Sequence, residues 1–233
     1  DLDHFQQWLT RTQTTIARED FPQDMAEAEQ MLNEHKAIKE EMEAYESDYA
    51  KMKEFGEKTV EGQEDVQYMF LRERLKALDD GWEDIHKMWQ NKQHLLSQGL
   101  NLQMFMRDAK QAEVLLSQQD NFLSKEEVPS TLGLARQHSL EHSENLIKQH
   151  EAFITTLDAN DEKVNNVLSF SQRLIDENHF AQDKIAQKAE NLKDRRQQNR
   201  QRAYDQLQKL KDSLKMQQFL QDCDELSDWL GEK

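Results

Sequence analysis

Apolar residues recur after three and then four positions along three long stretches of the chain, and charged or amide side chains fill most positions between them. This alternation places the apolar residues on one stripe of a helix, as in a coiled coil. Because a single stripe must pack against other helices, the pattern predicts helical bundles. In chain order the stretches contain Ala28, Leu32, His35, Ile38, Met42, Tyr45, Tyr49 and Met52; Leu71, Leu75, Leu78, Trp82, Ile85, Trp89 and Leu96; and Leu146, His150, Phe153, Leu157, Val164, Val167 and Leu174.

Breaks in the pattern fall at prolines, glycines and short polar stretches. Pro22 and Pro129 follow acidic residues at two breaks, and proline suits the first turn of a new helix. Gly56 and Gly62 mark a further break, as does the polar stretch 176–179. We therefore expect a helical corner at each of these places.

Turn-forming residues are scarce elsewhere, since the 233-residue chain holds only 6 Gly and 2 Pro. Residues 90–110 contain no proline and a single glycine, Gly99, so they predict a continuous helix that joins two units. The low hydrophobic share, 36%, also favours slender helical units over one thick globular core.

The net charge and the cysteine content limit which partners and which cellular setting the chain fits. The 30 basic and 46 acidic side chains give a net charge of −16, which repels the phosphates of nucleic acid. A single cysteine, Cys223, excludes an intrachain disulfide and favours a reducing, intracellular setting. No apolar run reaches the ~18 residues of a membrane span, and no signal peptide is apparent, so we expect a soluble protein.

An internal repeat relates the two halves. An offset of 114 residues maps Leu78 onto Leu192 and Leu71 onto Ile185. Pro22 precedes His35 by 13 residues, whereas Pro129 precedes His150 by 21, so the second half carries eight extra residues near 133–140. Eight residues turn a helix by about 800°, which would put a seam out of phase. We expect the extra segment to protrude between the first and middle helices.

These residues resemble a known family. A three-helix repeat of about 106 residues, with Trp8-Leu9 in its first helix, His35 within 33–37 in its middle helix and Trp82 in its third, resembles the spectrin repeat. Residues 4–17 and 67–72 are similar to an internal stretch of the β-spectrins, the erythroid form in particular.

The resemblance implies an all-α fold. It comprises two tandem three-helix left-handed coiled-coil bundles, joined by a continuous helical linker into an elongated rod. The implied repeats are 1–98, lacking the start of its first helix, and 99–214, with the insertion near 133–140. Residues 215–233 either begin the first helix of a next repeat or extend the preceding helix.

The second repeat departs from the first at four seam positions. Trp8 becomes Leu115, Trp82 becomes Arg196, Ile85 becomes Asn199, and Trp89 becomes Ala203. Because losing a large buried aromatic is costly, we expect the second repeat to be the less stable one. The structural seam is predicted to include Trp8, His35, Leu71, Leu75, Leu78, Trp82, Ile85, Trp89, His150, Phe153 and Leu192.

Candidate chemistry is sparse. His138 and His142 match an H-x-x-E-H zinc pattern, but two histidines leave zinc under-ligated. A basic cluster in the third helix of the second repeat fits internal salt bridges, with docking of an acidic partner as the alternative. A possible partner surface comprises Arg136, His138, His142, Arg195, Arg196, Arg200 and Arg202. No motif indicates catalysis, a cofactor or a bound metal.

The resemblance therefore implies a non-enzymatic segment of the membrane skeleton, at the cytoplasmic face of the plasma membrane. It would act as an elastic spacer and pair laterally and antiparallel with α-spectrin. Other parts of the whole protein would bind ankyrin and bind, cross-link or cap actin. The alternative is a docking module that binds a protein or lipid head group through 133–140 or the basic cluster.

Overall fold

The structure, a computed structural model, describes residues 2–125 and 139–231. Within those ranges the chain forms five helices and no strand, which confirms the predicted all-α class. The helices are α1 Leu2–Ile16, α2 Met25–Val60, α3 Val66–Lys125, α4 Leu140–Asp176 and α5 Gln182–Gly231.

The chain divides after residue 104 into two compact units. Unit 1, Asp1–Met104, contains α1, α2 and the first part of α3. Unit 2, Phe105–Lys233, contains the rest of α3 together with α4 and α5. The continuous helix predicted through 90–110 is confirmed, because α3 runs through it without a break.

In unit 1, side chains close both ends of α2. The Asp24 carboxylate accepts a hydrogen bond from the backbone N–H of Glu27 at 2.8 Å, and the Glu27 carboxylate accepts one from the N–H of Gln23 at 2.8 Å. The pair resembles a capping box, except that Glu27 accepts from the residue before the N-cap Asp24. At the other end, the Arg72 guanidinium donates at 2.6 Å to the carbonyls of both Val60 and Gln63. The corner between α2 and α3 passes through Gly62, whose φ of 72° suits glycine.

Gly56 was expected at a corner, and that expectation is wrong. The residue is buried inside α2, which continues to Val60. A Cβ at this position would lie 2.7 Å from the Cδ atoms of Leu75 on α3. Glycine is therefore used here for close approach of two helices, although it lowers helix propensity.

In unit 2, the polar stretch 176–179 forms the predicted corner between α4 and α5. Asn178 adopts a left-handed φ of 55°, and the His179 N–H donates to the Leu174 carbonyl at 3.1 Å. Asparagine tolerates this backbone conformation better than most residues do. The corner that contains Pro129 lies outside the described residues.

The start of α4 locates the eight extra residues of unit 2. The N-caps of α2 and α4, Asp24 and Ser139, are 115 residues apart. The buried residues Ile16 and Leu123, in the preceding helices, are 107 apart. The difference of eight therefore arises before Ser139, and Leu140 begins its helix as Met25 does. Residues 133–138 of the predicted insertion lie outside the described residues.

Beyond residue 214, α5 continues as one helix to Gly231. Its apolar side chains Phe219, Leu226, Trp229 and Leu230 are all more than half exposed. Phe219 is 114 residues after Phe105, which is fully buried in unit 2. Residues 215–231 therefore extend α5, the third helix of unit 2. At the same time they repeat the apolar pattern with which the first helix of that unit begins.

The N-cap of α2, Asp24, gives a stability prediction. Replacing Asp24 by Ala should lower the free energy of unfolding of unit 1 by about 1 kcal/mol, because the N–H of Glu27 loses its acceptor. Urea unfolding followed by tryptophan fluorescence measures the change. Asp24→Asn is the matched control, since asparagine caps helices about as well. Equal losses in both variants would contradict the capping role.

Candidate functional site

The candidate site of this chain is the set of seams between its helices. Every predicted seam position is buried or half-buried: Trp8, His35, Leu78, Trp82, Ile85, His150 and Leu192 are buried, and Leu71, Leu75, Trp89 and Phe153 are half-buried. Equivalent positions differ by 115 residues between α2 and α4, as for His35 and His150. They differ by 114 between the third helices, as for Leu78 and Leu192.

Aromatic rings fill the middle of unit 1. The ring of Trp8 on α1 stacks on Tyr45 of α2 at 4.2 Å, and Tyr49 of α2 stacks on Trp82 of α3 at 4.6 Å. Phe5 lies between these pairs, within 6.2 Å of each of the four rings. Such ring pairs add to the stability gained from burial alone. The cluster therefore ties all three helices together.

Polar atoms at the edge of this cluster are also paired. The Trp8 indole donates to the Glu41 carboxylate at 2.6 Å. The Tyr49 hydroxyl donates to Asp79, which also pairs with Lys53 at 3.1 Å. Burial, followed by the bond to Asp79, raises the pKa of Tyr49 well above its ordinary value. The bond from Tyr49, followed by that from Lys53, lowers the pKa of Asp79.

His35 and Trp89 form a reciprocal lock between α2 and α3. The His35 Nε2 lies 2.8 Å from the Trp89 carbonyl, and the Trp89 indole donates to the His35 carbonyl at 2.7 Å. Their rings stack at 4.6 Å, with Lys39 Nζ 4.4 Å from the indole centre. Burial is the main cause that lowers the pKa of His35, with Lys92 contributing and the bond to Trp89 opposing.

His150 repeats half of this lock in unit 2. Its Nε2 lies 2.7 Å from the carbonyl of Ala203, which occupies the position of Trp89. Without the indole, the space beside the histidine is taken by Phe122 and Phe153, which stack on each other at 4.1 Å. The repeated carbonyl bond agrees with the structural role expected for both histidines.

Polar contacts made by α5 with α3 and α4 stand where unit 1 has aromatic packing. Asn199 is 5% exposed, and its amide donates to the Leu116 carbonyl at 3.0 Å and to Gln119 at 3.3 Å. Arg196, in the place of Trp82, lies 3.7 Å from Asp161 and also bonds Asn165. Leu115, aligned with Trp8, is half-buried, whereas the neighbouring Leu116 is fully buried.

Arg195, Arg200 and Arg202 of the predicted partner surface are also held by unit 2 itself. Arg195 donates to Ser117 at 3.0 Å, Arg200 pairs with Asp158 at 3.2 Å, and Arg202 bonds Asp120 and, at 3.3 Å, Ser124. These contacts favour internal salt bridges over docking as the role of the cluster. His142 is exposed at the start of α4, where its N–H donates to Ser139. Arg136 and His138 lie outside the described residues, so the H-x-x-E-H pattern is not tested.

Among the described residues, no three His, Cys, Asp or Glu side chains are grouped to hold a metal ion. None of the helices in the described ranges is both long and apolar enough to cross a membrane. Cys223 is an exposed free thiol.

Similarity to known proteins covers the whole chain. The family model for the spectrin repeat matches residues 1–98 and 100–212. The chain is 54% identical over its full length to the spectrin beta chain of Drosophila melanogaster, of which it spans 10%. It is 38% identical to the erythrocytic spectrin beta chain of Mus musculus, spanning 11%, and 32% identical to the human non-erythrocytic spectrin beta chain 4, spanning 9%. The β-spectrin resemblance is confirmed, whereas the erythroid form stays a prediction.

The contrast between Trp82 and Arg196 predicts unequal effects of truncation. Trp82→Ala should lower the free energy of unfolding by about 3–5 kcal/mol, because it opens a cavity among packed rings. Arg196→Ala should cost about 1 kcal/mol or less, since its ion pair is partly solvated. Urea unfolding followed by circular dichroism tests both variants. A loss at Arg196 that equals the loss at Trp82 would show that the positions are energetically alike.

Proposed function

Because the chain belongs to the spectrin-repeat family, we propose that it is a non-enzymatic structural segment of the spectrin membrane skeleton. The observation that carries this proposal is that the side chains most suited to catalysis or ligand binding are used in packing between helices. The side chains of Trp8, Tyr49, His35, His150 and Arg200 are each engaged with a neighbouring helix of their own unit. Side chains engaged in this way stabilise the bundle. The outer faces of its helices are then available for association with another protein.

The segment acts as an elastic spacer in this proposal. Each unit has its own interior: the aromatic cluster in unit 1, and the cluster of Leu123, Ile154, Leu157 and Ala203 in unit 2. Units with separate interiors can unfold one at a time under load and refold afterwards. The chain spans about a tenth of the length of the curated relatives that it matches. We place the segment at the cytoplasmic face of the plasma membrane, within a longer protein. Other parts of that protein bind actin and ankyrin in this proposal.

A lateral, antiparallel α-spectrin repeat is the proposed partner of the segment itself. Unit 1 is the more acidic half, with 23 acidic and 12 basic side chains, against 23 and 18 in unit 2. On α2, Glu29, Glu40 and Glu43 are exposed, and their spacing places them on one outward face. Carboxylates of this kind steer association with a basic surface. We assign first contact with α-spectrin to this face.

The docking alternative has less support. Its basic cluster is occupied by Asp120, Asp158 and Asp161 of the same unit. Residues 133–138 lie outside the described part of the chain.

A binding measurement tests the proposed pairing surface. Glu29, Glu40 and Glu43 are replaced together by Lys, and the association rate of the variant with purified α-spectrin is measured at low salt. We expect a loss of tenfold or more, which shrinks as salt screens the charges. The matched control reverses the exposed Glu144, Glu151 and Glu162 of unit 2. Equal effects in both triple variants would overturn the assignment to α2, and absence of binding by the unmodified chain would overturn the pairing itself.

A further inference from the structure

Helix α5, the third helix of unit 2, carries lysines that its own bundle does not use. Lys193, Lys211 and Lys215 are exposed, and within the described part of the chain none of them forms an ion pair. Three arginines of the same helix differ, because each is paired with an aspartate of unit 2. The lysines are therefore the free cations of this helix.

These lysines share one face of α5 with an exposed tyrosine. Because a helix turns by about 100° per residue, Lys211 returns to the direction of Lys193, and Lys215 lies about 40° from it. Tyr204, which is 46% exposed, lies about 20° from the same direction. The four residues form the α5 basic stripe. It is about 33 Å long at the usual rise of a helix.

Acidic side chains are kept away from the stripe. The helix holds three aspartates between the first and last lysine of the stripe, and each is turned about 100–120° away from Lys193: Asp194, Asp205 and Asp212. Asp205 and Asp212 accept hydrogen bonds from glutamines one turn before them. Lys211 and Lys215 are also like charges one turn apart, which slightly destabilises a helix. The bundle gains nothing from this arrangement.

The internal repeat shows that the fold does not require a basic stripe. An offset of 114 residues maps its members onto Asp79, Gln90, Ser97 and Asn101 of α3 in unit 1. None of these four residues is basic, although this part of α3 is the third helix of its unit. The stripe is thus particular to unit 2, as is expected of an interaction surface.

The charge and shape of the stripe indicate what it binds. A narrow row of lysines along a helix matches carboxylates on a second helix that lies beside it. Tyr204 adds an aromatic side chain of the kind that is enriched in protein interfaces. A flat anionic membrane fits less well, because it would meet the 23 acidic side chains of unit 2 together with only 18 basic ones.

We propose that the α5 basic stripe binds an acidic helical face of the partner chain and sets the direction of lateral pairing. This inference rests on the proposed pairing with α-spectrin. The chain presents an acidic face on α2 of unit 1 and a basic stripe on α5 of unit 2. A partner whose charges run in the complementary order binds in one direction only, because the reversed alignment brings like charges together.

Charge reversal of the stripe tests this proposal, with purified α-spectrin as the probe. Lys193, Lys211 and Lys215 are replaced together by Glu, and the dissociation constant should rise about tenfold or more at low salt. The loss should shrink as salt screens the charges. The matched control makes the same change in net charge at exposed lysines off the stripe and should cost much less: Lys148, Lys163 and Lys209.

Chemical cross-linking provides a readout other than affinity. A carbodiimide joins a lysine amine to a carboxylate that is in contact with it. In the complex of the unmodified chain, the stripe lysines should be joined to Asp or Glu of α-spectrin far more often than the three control lysines are. If the charge-reversed variant fails to fold, these cross-links decide the matter.

The outcomes separate the role of the stripe from the pairing on which it rests. If the unmodified chain does not bind α-spectrin, the pairing is refuted and the role of the stripe with it. If it binds and the stripe variant binds equally well, or if stripe and control lysines cross-link equally, the stripe alone is refuted. Stripe-dependent binding to phosphatidylserine vesicles, or stripe-dependent self-association, with α-spectrin binding unchanged would also overturn the proposal.

Discussion

Each helix of this chain carries one narrow apolar stripe, and burying that stripe is the constraint on which the structure depends. With 36% hydrophobic and 33% charged residues, a helix cannot be stable alone and must share its stripe with two others. The few side chains at the seams therefore decide the stability of each unit. A hydrogen bond from a middle-helix histidine to a third-helix carbonyl recurs in both units, at 2.8 and 2.7 Å.

The two units satisfy this constraint with different chemistry. Unit 1 joins its helices through five stacked or tilted rings, each of which removes a large apolar area from water. Unit 2 joins α3 to α5 through polar donors, among them Asn199 to the Leu116 carbonyl and Gln206 to the Leu123 carbonyl at 3.0 Å. Such bonds contribute little net stability, but their loss is costly when a buried partner is left unpaired. Unit 2 thus combines these polar contacts with fully buried aliphatic side chains such as Leu116, Leu174 and Leu192.

The 3-4 alternation predicted α2, α3 and α4 and their seam positions, because a helix repeats its faces at a fixed interval. The first and last helices were expected only from the internal repeat and the family resemblance. Identical residues at fixed offsets, such as His35 and His150, also revealed the repeat. Gly56 was misassigned, since one sequence does not distinguish a glycine that ends a helix from one that admits Leu75. The Arg72 contacts with the end of α2 and the unpaired Nδ1 of His150 depend on three-dimensional proximity, which no spacing rule encodes.

Unfolding of the whole chain in urea, followed by two probes, tests most directly whether unit 2 is the weaker of two separate units. Far-UV circular dichroism reports the helices of both units. Once Trp229 is replaced by Phe, tryptophan fluorescence reports unit 1 alone, because the remaining tryptophans, Trp8, Trp82 and Trp89, all lie there. If unit 2 is the weaker unit, a large part of the helical signal is lost before tryptophan emission changes. Coincident transitions, or a fluorescence change that comes first, would contradict it.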